Sequence, residues 1–252
     1  MPAEPRSTYR VQLTPDFGFD AAASVAGYLH DLGVSHFYAS PCLQAAPGST
    51  HGYDVVDHHR ANEELGGSEG HARLCQALGE AGLGQVLDVV PNHMAIGVRE
   101  NAWWWDVLEN GPSSVYASYF DVVWDPPEAK LRNTVLLPVL GDHYGRVLEA
   151  FEITLHRQAG AFTFRYHDHV VPVAPRSLDA LLLRAAERVD VPELESAAVA
   201  LGKLPPAWAI DTESVRERHR DKEVLKARLA QLCDEQPDVA KAVDSVVAEL
   251  NA

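Results

Sequence analysis

The feature that most constrains the fold is the segment Asp88-Val89-Val90-Pro91-Asn92-His93 and the apolar run that enters it from Gly84. A run of this kind reads as a buried strand of a parallel sheet, and it hands Asp, Asn and His groups over at its C-terminal end. A second polar cluster, His51-Gly52-Tyr53-Asp54, lies upstream of it.

The text before this strand alternates. Tyr9 to Leu13 reads as a first strand, stopped by Thr14-Pro15. Asp20 is placed to cap a helix whose inner face is Ala22, Val25, Leu29 and Leu32, and Gly33 ends it. Val34 to Ala39 is the second strand, followed by a polar excursion from Ser40 to Gly67. Ser68 is placed to cap a second helix with Ala72, Cys75, Leu78 and Ala81 inward, ending at Gly82, before a third strand from Gln85 to Val90. Strand, helix, strand, helix, strand is the pattern of right-handed parallel βαβ units. In barrels built this way, side chains at the C-terminal strand ends carry the chemistry.

The alternation then stops. From Ala95 to about Pro175 the chain is rich in aromatic residues, Gly and Pro, with short strands expected at Val135–Gly141, Ala150–Leu155 and Ala161–Tyr166. From Leu178 the pattern is helical, with Leu178, Leu181, Leu182 and Ala185 on one apolar face and Val224, Leu225, Leu229 and Leu232 on another. The charged stretch Arg216 to Arg228 reads as a solvated helix face. The expected fold class is α/β, divided into barrel units over 1–94, an inserted β-rich subdomain over 95–176 and a helical segment over 177–252.

Composition excludes several functions. The net charge of −15 opposes binding to nucleic acid or to an anionic membrane. The longest apolar runs are too short to cross a bilayer, and the first residues lack the apolar stretch of a signal peptide. Cys42, Cys75 and Cys233 are few, odd in number and far apart, which argues against a disulfide framework or a zinc ribbon. A reducing cytoplasm is the expected location.

The order Thr8-Tyr9-Arg10-Val11-Gln12-Leu13-Thr14, then Ala39-Ser40-Pro41, Gly48-Ser49-Thr50-His51-Gly52-Tyr53-Asp54 and Asp88 to His93 resembles the first third of an α-amylase-family barrel. With Leu137-Pro138-Val139-Leu140-Gly141, it is similar within that family to the maltooligosyltrehalose synthases. The resemblance implies a partial (β/α)8 barrel and a maltooligosaccharide substrate. It further implies an intramolecular transglycosylation that turns the reducing-end α-1,4 bond into an α,α-1,1 bond, with a maltooligosyltrehalose trehalohydrolase as functional partner. It assigns Tyr53 as the aromatic platform under the reacting sugar and His93 as donor to the sugar 6-hydroxyl. Asp54 and Asp88 would orient a cationic partner and the local network. Asn92 matches a calcium ligand of many amylases, but no metal and no cofactor is assigned.

The resemblance also has a gap. Retaining glycoside chemistry needs two carboxylates about 5–5.5 Å apart. In this family the nucleophile lies in a segment like G-x-R-x-D-H, and no such segment occurs after residue 176. No catalytic residue is therefore assigned, and the chain is expected to be an inactive N-terminal portion whose barrel continuation is missing. A hydrolase of the same family and a non-catalytic sugar-binding fragment stay open as alternatives. Trp103, Trp104 and Trp105 are expected as core of the inserted region. His58, His59, His167 and His169 are expected to be solvated or hydrogen-bonded, and Cys75 to be an inert core thiol.

Overall fold

The computed structural model describes residues 4–252. The chain divides into two compact units, Met1–Ala102 and Trp103–Ala252.

In the first unit, β1 (Thr8–Val11), α1 (Phe19–Ser24), α2 (Ala26–Asp31) and β2 (His36–Ala39) come first. Then follow β3 (Leu43–Ala45), β4 (Val55–Ala61), α3 (Gly67–Glu80) and β5 (Gly84–Leu87). The sheet order is β1-β2-β5, all parallel, with Val11, Ala39 and Leu87 aligned across it. Phe37 and Ala39 of the central strand are fully buried and pack with Leu13, Phe19, Ala22, Leu29, Leu74 and Leu78. The two-residue period sends Tyr38 to the other face. Gly84 opens β5 where the His36 ring lies over it, so a Cβ there would collide with that ring.

Several local expectations are corrected. The helix expected to start at Asp20 is two short helices, broken at Val25 and preceded by Gly18 with no side-chain cap. Asp20 already sits inside the first turn, and its carboxylate takes a two-pronged bond from Arg73 at 2.7 and 2.8 Å. Ser68 is no cap either, because α3 begins one residue earlier, after a left-handed Gly66. The buried stations of α3 are Gly67, Gly70, Leu74 and Leu78, so Ala72 and Cys75 face outward. Cys75 is an exposed thiol, 3.8 Å from His71 Nε2. The third strand is not buried: Leu87 and Val89 are 44% and 61% exposed, since β5 pairs with β2 alone among the described residues. The excursion from Ser40 holds an unforeseen antiparallel hairpin, β3 with β4.

In the second unit, α4 (Ala102–Asn110) and α5 (Tyr144–Glu149) precede an antiparallel sheet of β6 (Ile153–Gln158), β7 (Ala161–Tyr166) and β8 (His169–Pro172). Val135–Gly141 is irregular rather than a strand, and the strand expected at Ala150 starts at Ile153. Prolines at 138 and 172 deny the ladder a donor, which fits the irregular first stretch and the end of β8. Four helices follow: α6 (Asp179–Ala186), α7 (Pro192–Gly202), α8 (Thr212–Glu235) and α9 (Pro237–Leu250). Leu178, Leu181, Leu182 and Ala185 are all buried, as their spacing requires. They share one core with Leu155 and Phe162 of the sheet and with Leu229, Val239 and Val243.

The charged stretch of α8 is a solvated face only in part: Arg216, Glu217, Arg220, Glu223 and Arg228 are exposed. Arg218 and Lys222 are 1% and 3% exposed, and they continue N-terminally the stripe of Leu225, Leu229 and Leu232. Val224 falls off that stripe and is exposed. The cations are buried because α4 supplies their partners. Lys222 Nζ donates to Glu109 Oε2 at 2.8 Å and to Asp106 Oδ1 at 3.1 Å. Arg218 donates to Asn110 Oδ1 at 3.1 Å and to the Pro205 carbonyl at 2.7 Å. Lys226 closes the network on Glu109. Burial alone would lower the Lys222 ammonium, but Glu109 and Asp106 together hold it above the ordinary lysine value. Trp104 is buried against Phe120, and Trp103 stacks on Tyr116 with ring centres 5.2 Å apart.

Removing one partner of a buried pair leaves an uncompensated charge and costs roughly 3 kcal/mol or more. Lys222→Ala is therefore expected to lower the melting temperature by roughly 6–12 °C, at about 2–4 °C per kcal/mol, whereas Lys241→Ala, in an exposed pair with Asp238, leaves it nearly unchanged. Thermal melts of the two variants followed by circular dichroism check this. Because the folded pKa of Lys222 is raised, its contribution is complete below the ordinary lysine pKa of 10.5 and is lost as pH rises through the folded value. The gap between wild type and Lys222→Ala should accordingly shrink in the alkaline range above 10.5.

Candidate functional site

Tyr53, Asp88, Asn92 and His93 come together beside the C-terminal ends of β1, β2 and β5. The hairpin β3–β4 makes this possible. Its connecting loop runs from Ala46 to Asp54 and is closed by the Ala46 N–H donating to the Asp54 carbonyl at 2.9 Å. Gly52 is buried in that loop with φ +77°, and a Cβ on it would stand 2.5 Å from the Pro41 carbonyl oxygen. Only glycine accepts both conditions cheaply, so Gly52 is what lets the chain turn and present Tyr53.

Tyr53 is held at four points. Its N–H donates to His51 Nδ1 at 3.0 Å, and its carbonyl is 3.1 Å from His93 Nε2. Its hydroxyl donates to Asp88 Oδ2 at 2.6 Å and accepts from Arg10 at 3.2 Å. The His51 ring stacks near one of its faces, with centres 6.1 Å apart. The side chain is still 37% exposed. Asp88 also accepts from Tyr38 at 3.5 Å, and its carboxylate lies 3.9 Å from the Arg10 guanidinium.

His93 is bound on both sides, with Nδ1 3.1 Å from Asn92 Oδ1. The Tyr53 carbonyl can only accept, so that bond is made by the form of the ring with its proton on Nε2; a neutral ring of that form meets Asn92 with a bare Nδ1, which accepts from the amide turned N–H inward. Asp54 stands apart from this group: it accepts from Ser49 Oγ, and His51 Nδ1 is 3.7 Å away. The Asn92 amide is exposed and turned to His93. Among the described residues no group of three His, Cys, Asp or Glu is arranged for a metal ion. His58 contacts the Val90 carbonyl at 3.0 Å, and His59 contacts Asp57 at 3.3 Å.

Three members of the group were not picked out by the sequence as site residues: Arg10, Gln12 and Tyr38. The signal was present, because Arg10 and Gln12 are two apart on a strand and so share a face, and Arg10 is the register partner of Tyr38.

Residues 23–147 match the family model described as alpha amylase, catalytic domain. Residues 23–147 are thus similar to part of an α-amylase-type catalytic domain. Among proteins of that kind, the chain is similar to the N-terminal portion of maltooligosyltrehalose synthases. A Mycobacterium tuberculosis protein that carries the name maltooligosyl trehalose synthase is 45% identical over 179 residues, 69% of this chain and 22% of that protein. The structure of maltooligosyltrehalose synthase from Arthrobacter ramosus is 42% identical, with a TM-score of 0.58 over 68% of this chain and 21% of that one. A malto-oligosyltrehalose trehalohydrolase of Brevibacterium helvolum is 38% identical over 88 residues, 35% of this chain and 15% of that protein. The chain thus spans about a fifth of the length of the synthases it matches.

The bond from Tyr53 to Asp88 pushes the phenol above the ordinary tyrosine value of 10.0, against the weaker pull of Arg10. A raised folded value means that this contribution to stability is present below pH 10 and is lost as pH rises through the folded value. Absorbance titration at about 295 nm, taken as a difference against Tyr53→Phe, should show a phenol ionising late. Asp88→Asn should bring that ionisation down.

Proposed function

We propose that this chain is the N-terminal, sugar-holding part of a maltooligosyltrehalose synthase. The observation that carries the reading is Tyr53, fixed at two points through its main chain and two through its hydroxyl beside the ends of three parallel strands, with its ring partly exposed. A buried or half-buried site for neutral sugars needs aromatic faces for the rings and hydrogen-bonding groups for the hydroxyls. Tyr53 supplies the face. Asp54, Asp88, Asn92 and His93 supply the polar groups. In detail, residues 1–94 are the opening strands of a (β/α)8 barrel, 95–176 an inserted subdomain and 177–252 a helical segment.

The reaction of the whole enzyme would proceed through a covalent glycosyl-enzyme formed by a carboxylate nucleophile, with a second carboxyl group as acid and then base. The freed reducing-end glucose would turn over within the site, and its anomeric hydroxyl would attack, giving an α,α-1,1 bond. Exclusion of water separates this outcome from hydrolysis. The role of this chain is to bind and orient. Asp54 and Asp88 are both already committed to neighbouring hydroxyls and are assigned no part in bond making. His93 would hold the 6-hydroxyl through the Nε2 proton that now rests on the Tyr53 carbonyl. The product is one that a maltooligosyltrehalose trehalohydrolase would consume. No described helix is long and apolar enough to cross a membrane, and the three cysteines are free thiols, which supports placement in a reducing cytoplasm.

The test is a titration of the chain with maltohexaose followed by isothermal calorimetry, with chromatography of the sugar afterwards. Saturable binding without product is expected. Tyr53→Ala should weaken binding about fivefold, since an aromatic contact of this kind is worth roughly 1 kcal/mol. Binding that is indifferent to Tyr53, or no binding at all, overturns the reading. So does turnover by the chain alone that survives repurification.

A further inference from the structure

We infer that Arg10, assisted by Gln12, is the positioning residue that fixes the Tyr53 platform from strand β1. The inference rests on the reading of Tyr53 as a sugar platform. It names the group that makes an exposed ring behave as a rigid one.

The geometry is specific. Arg10 lies in β1 and Gln12 one residue past its end, and their side chains meet. The Arg10 guanidinium divides its donors: one nitrogen goes to Gln12 Oε1 at 3.0 Å, the other to the Tyr53 hydroxyl at 3.2 Å. Its central carbon sits 5.7 Å from the centre of the Tyr38 ring. Gln12 then uses its amide nitrogen on the same loop, reaching the carbonyls of Thr50 at 3.3 Å and His51 at 3.4 Å. A side chain of β1 and one just past its end thereby grip the loop by its main chain and by the tip of its key side chain.

Arg10 also sets the charge. The Asp88 carboxylate lies in a group of neutral phenols, with Arg10 as the cation beside it at 3.9 Å. A phenol hydroxyl has one proton to give and lone pairs to receive with. Tyr53 gives to Asp88 and receives from Arg10, so its oxygen has a donor on one side and an acceptor on the other. Removing Arg10 leaves a single bond, about which the ring can swing. A planar fork suits this task better than an ammonium, because it reaches Gln12 and Tyr53 at once.

The experiment uses the full chain and three variants, Arg10→Met, Arg10→Lys and Tyr53→Phe. Its first readout is the absorbance titration of the Tyr53 phenol, taken as the difference from Tyr53→Phe. Loss of Arg10 should move that ionisation to still higher pH, because the donor that favours the phenolate is gone. Arg10→Lys should fall between wild type and Arg10→Met. The second readout is calorimetric affinity for maltohexaose, where Arg10→Met should lose about as much as Tyr53→Ala while the near-ultraviolet dichroism of the tryptophans stays unchanged. An unshifted phenol in Arg10→Met overturns the assignment of Arg10, whatever the sugar does. A shifted phenol with undiminished sugar affinity in both Arg10→Met and Tyr53→Ala keeps the Arg10–Tyr53 link and removes the platform reading instead. A fully restored titration in Arg10→Lys would show that charge alone suffices and would overturn the role of the fork.

Discussion

Everything in the candidate site hangs on one constraint, the parallel pairing of β1 and β5 on either side of β2. Parallel strands bring all their C-terminal ends to one edge. Residues from three remote stretches of sequence can then meet without any of them being buried deeply. Arg10, Tyr38 and Val86 lie in one row of the register, and Val11, Ala39 and Leu87 in the next. Asp88 follows directly, with its N–H still donating to the Ala39 carbonyl at 3.2 Å. A slip of one residue in this pairing would turn Tyr38 toward the helices and Phe37 toward the polar edge. The fully buried Phe37 among helix side chains is what forbids it.

The second unit uses a different principle. Its apolar core is conventional, but the N-terminal half of α8 is docked by ions rather than by hydrocarbon. Glu109 and Asp106 of α4 receive Lys222, and Glu109 also receives Lys226. Such a network stabilises the docking only while every member is paired. A shift of one turn would leave Arg218 or Lys222 buried without an acceptor. Burial already holds the Arg218 guanidinium below the ordinary arginine value, which is the trace of that cost.

The strand and helix alternation of residues 8–87 was legible because periodicity reports burial directly, and so was the apolar face of α6. The grouping of Tyr53 with Asp88 and His93 was legible as a motif. What could not be read was partnership. Cys75 looked inward because alanines and leucines around it allow two helical stripes, and the sequence does not say which one meets Phe19. Arg216 to Arg228 looked solvated throughout because charge usually is, and most of it is; what the sequence hid is that Lys222 meets acids more than a hundred residues away in the chain. Asp20 looked like a cap because the competing claim of Arg73 is not local. The hairpin β3–β4 was missed because its register is irregular, with shifts on both sides of Gln44.

The latch between His93 Nε2 and the Tyr53 carbonyl has a consequence for selectivity. On the proposed reading of the site, a hydroxyl that accepted this proton would trade one acceptor for another rather than add a hydrogen bond, and a ring without that hydroxyl would leave the imidazole on the protein's own main chain. The latch is one of two ties between Tyr53 and the segment that follows β5, the other being the bond from the Tyr53 hydroxyl to Asp88, so an imidazole that left the carbonyl would loosen the main chain of Tyr53 while the tip of its ring stayed held.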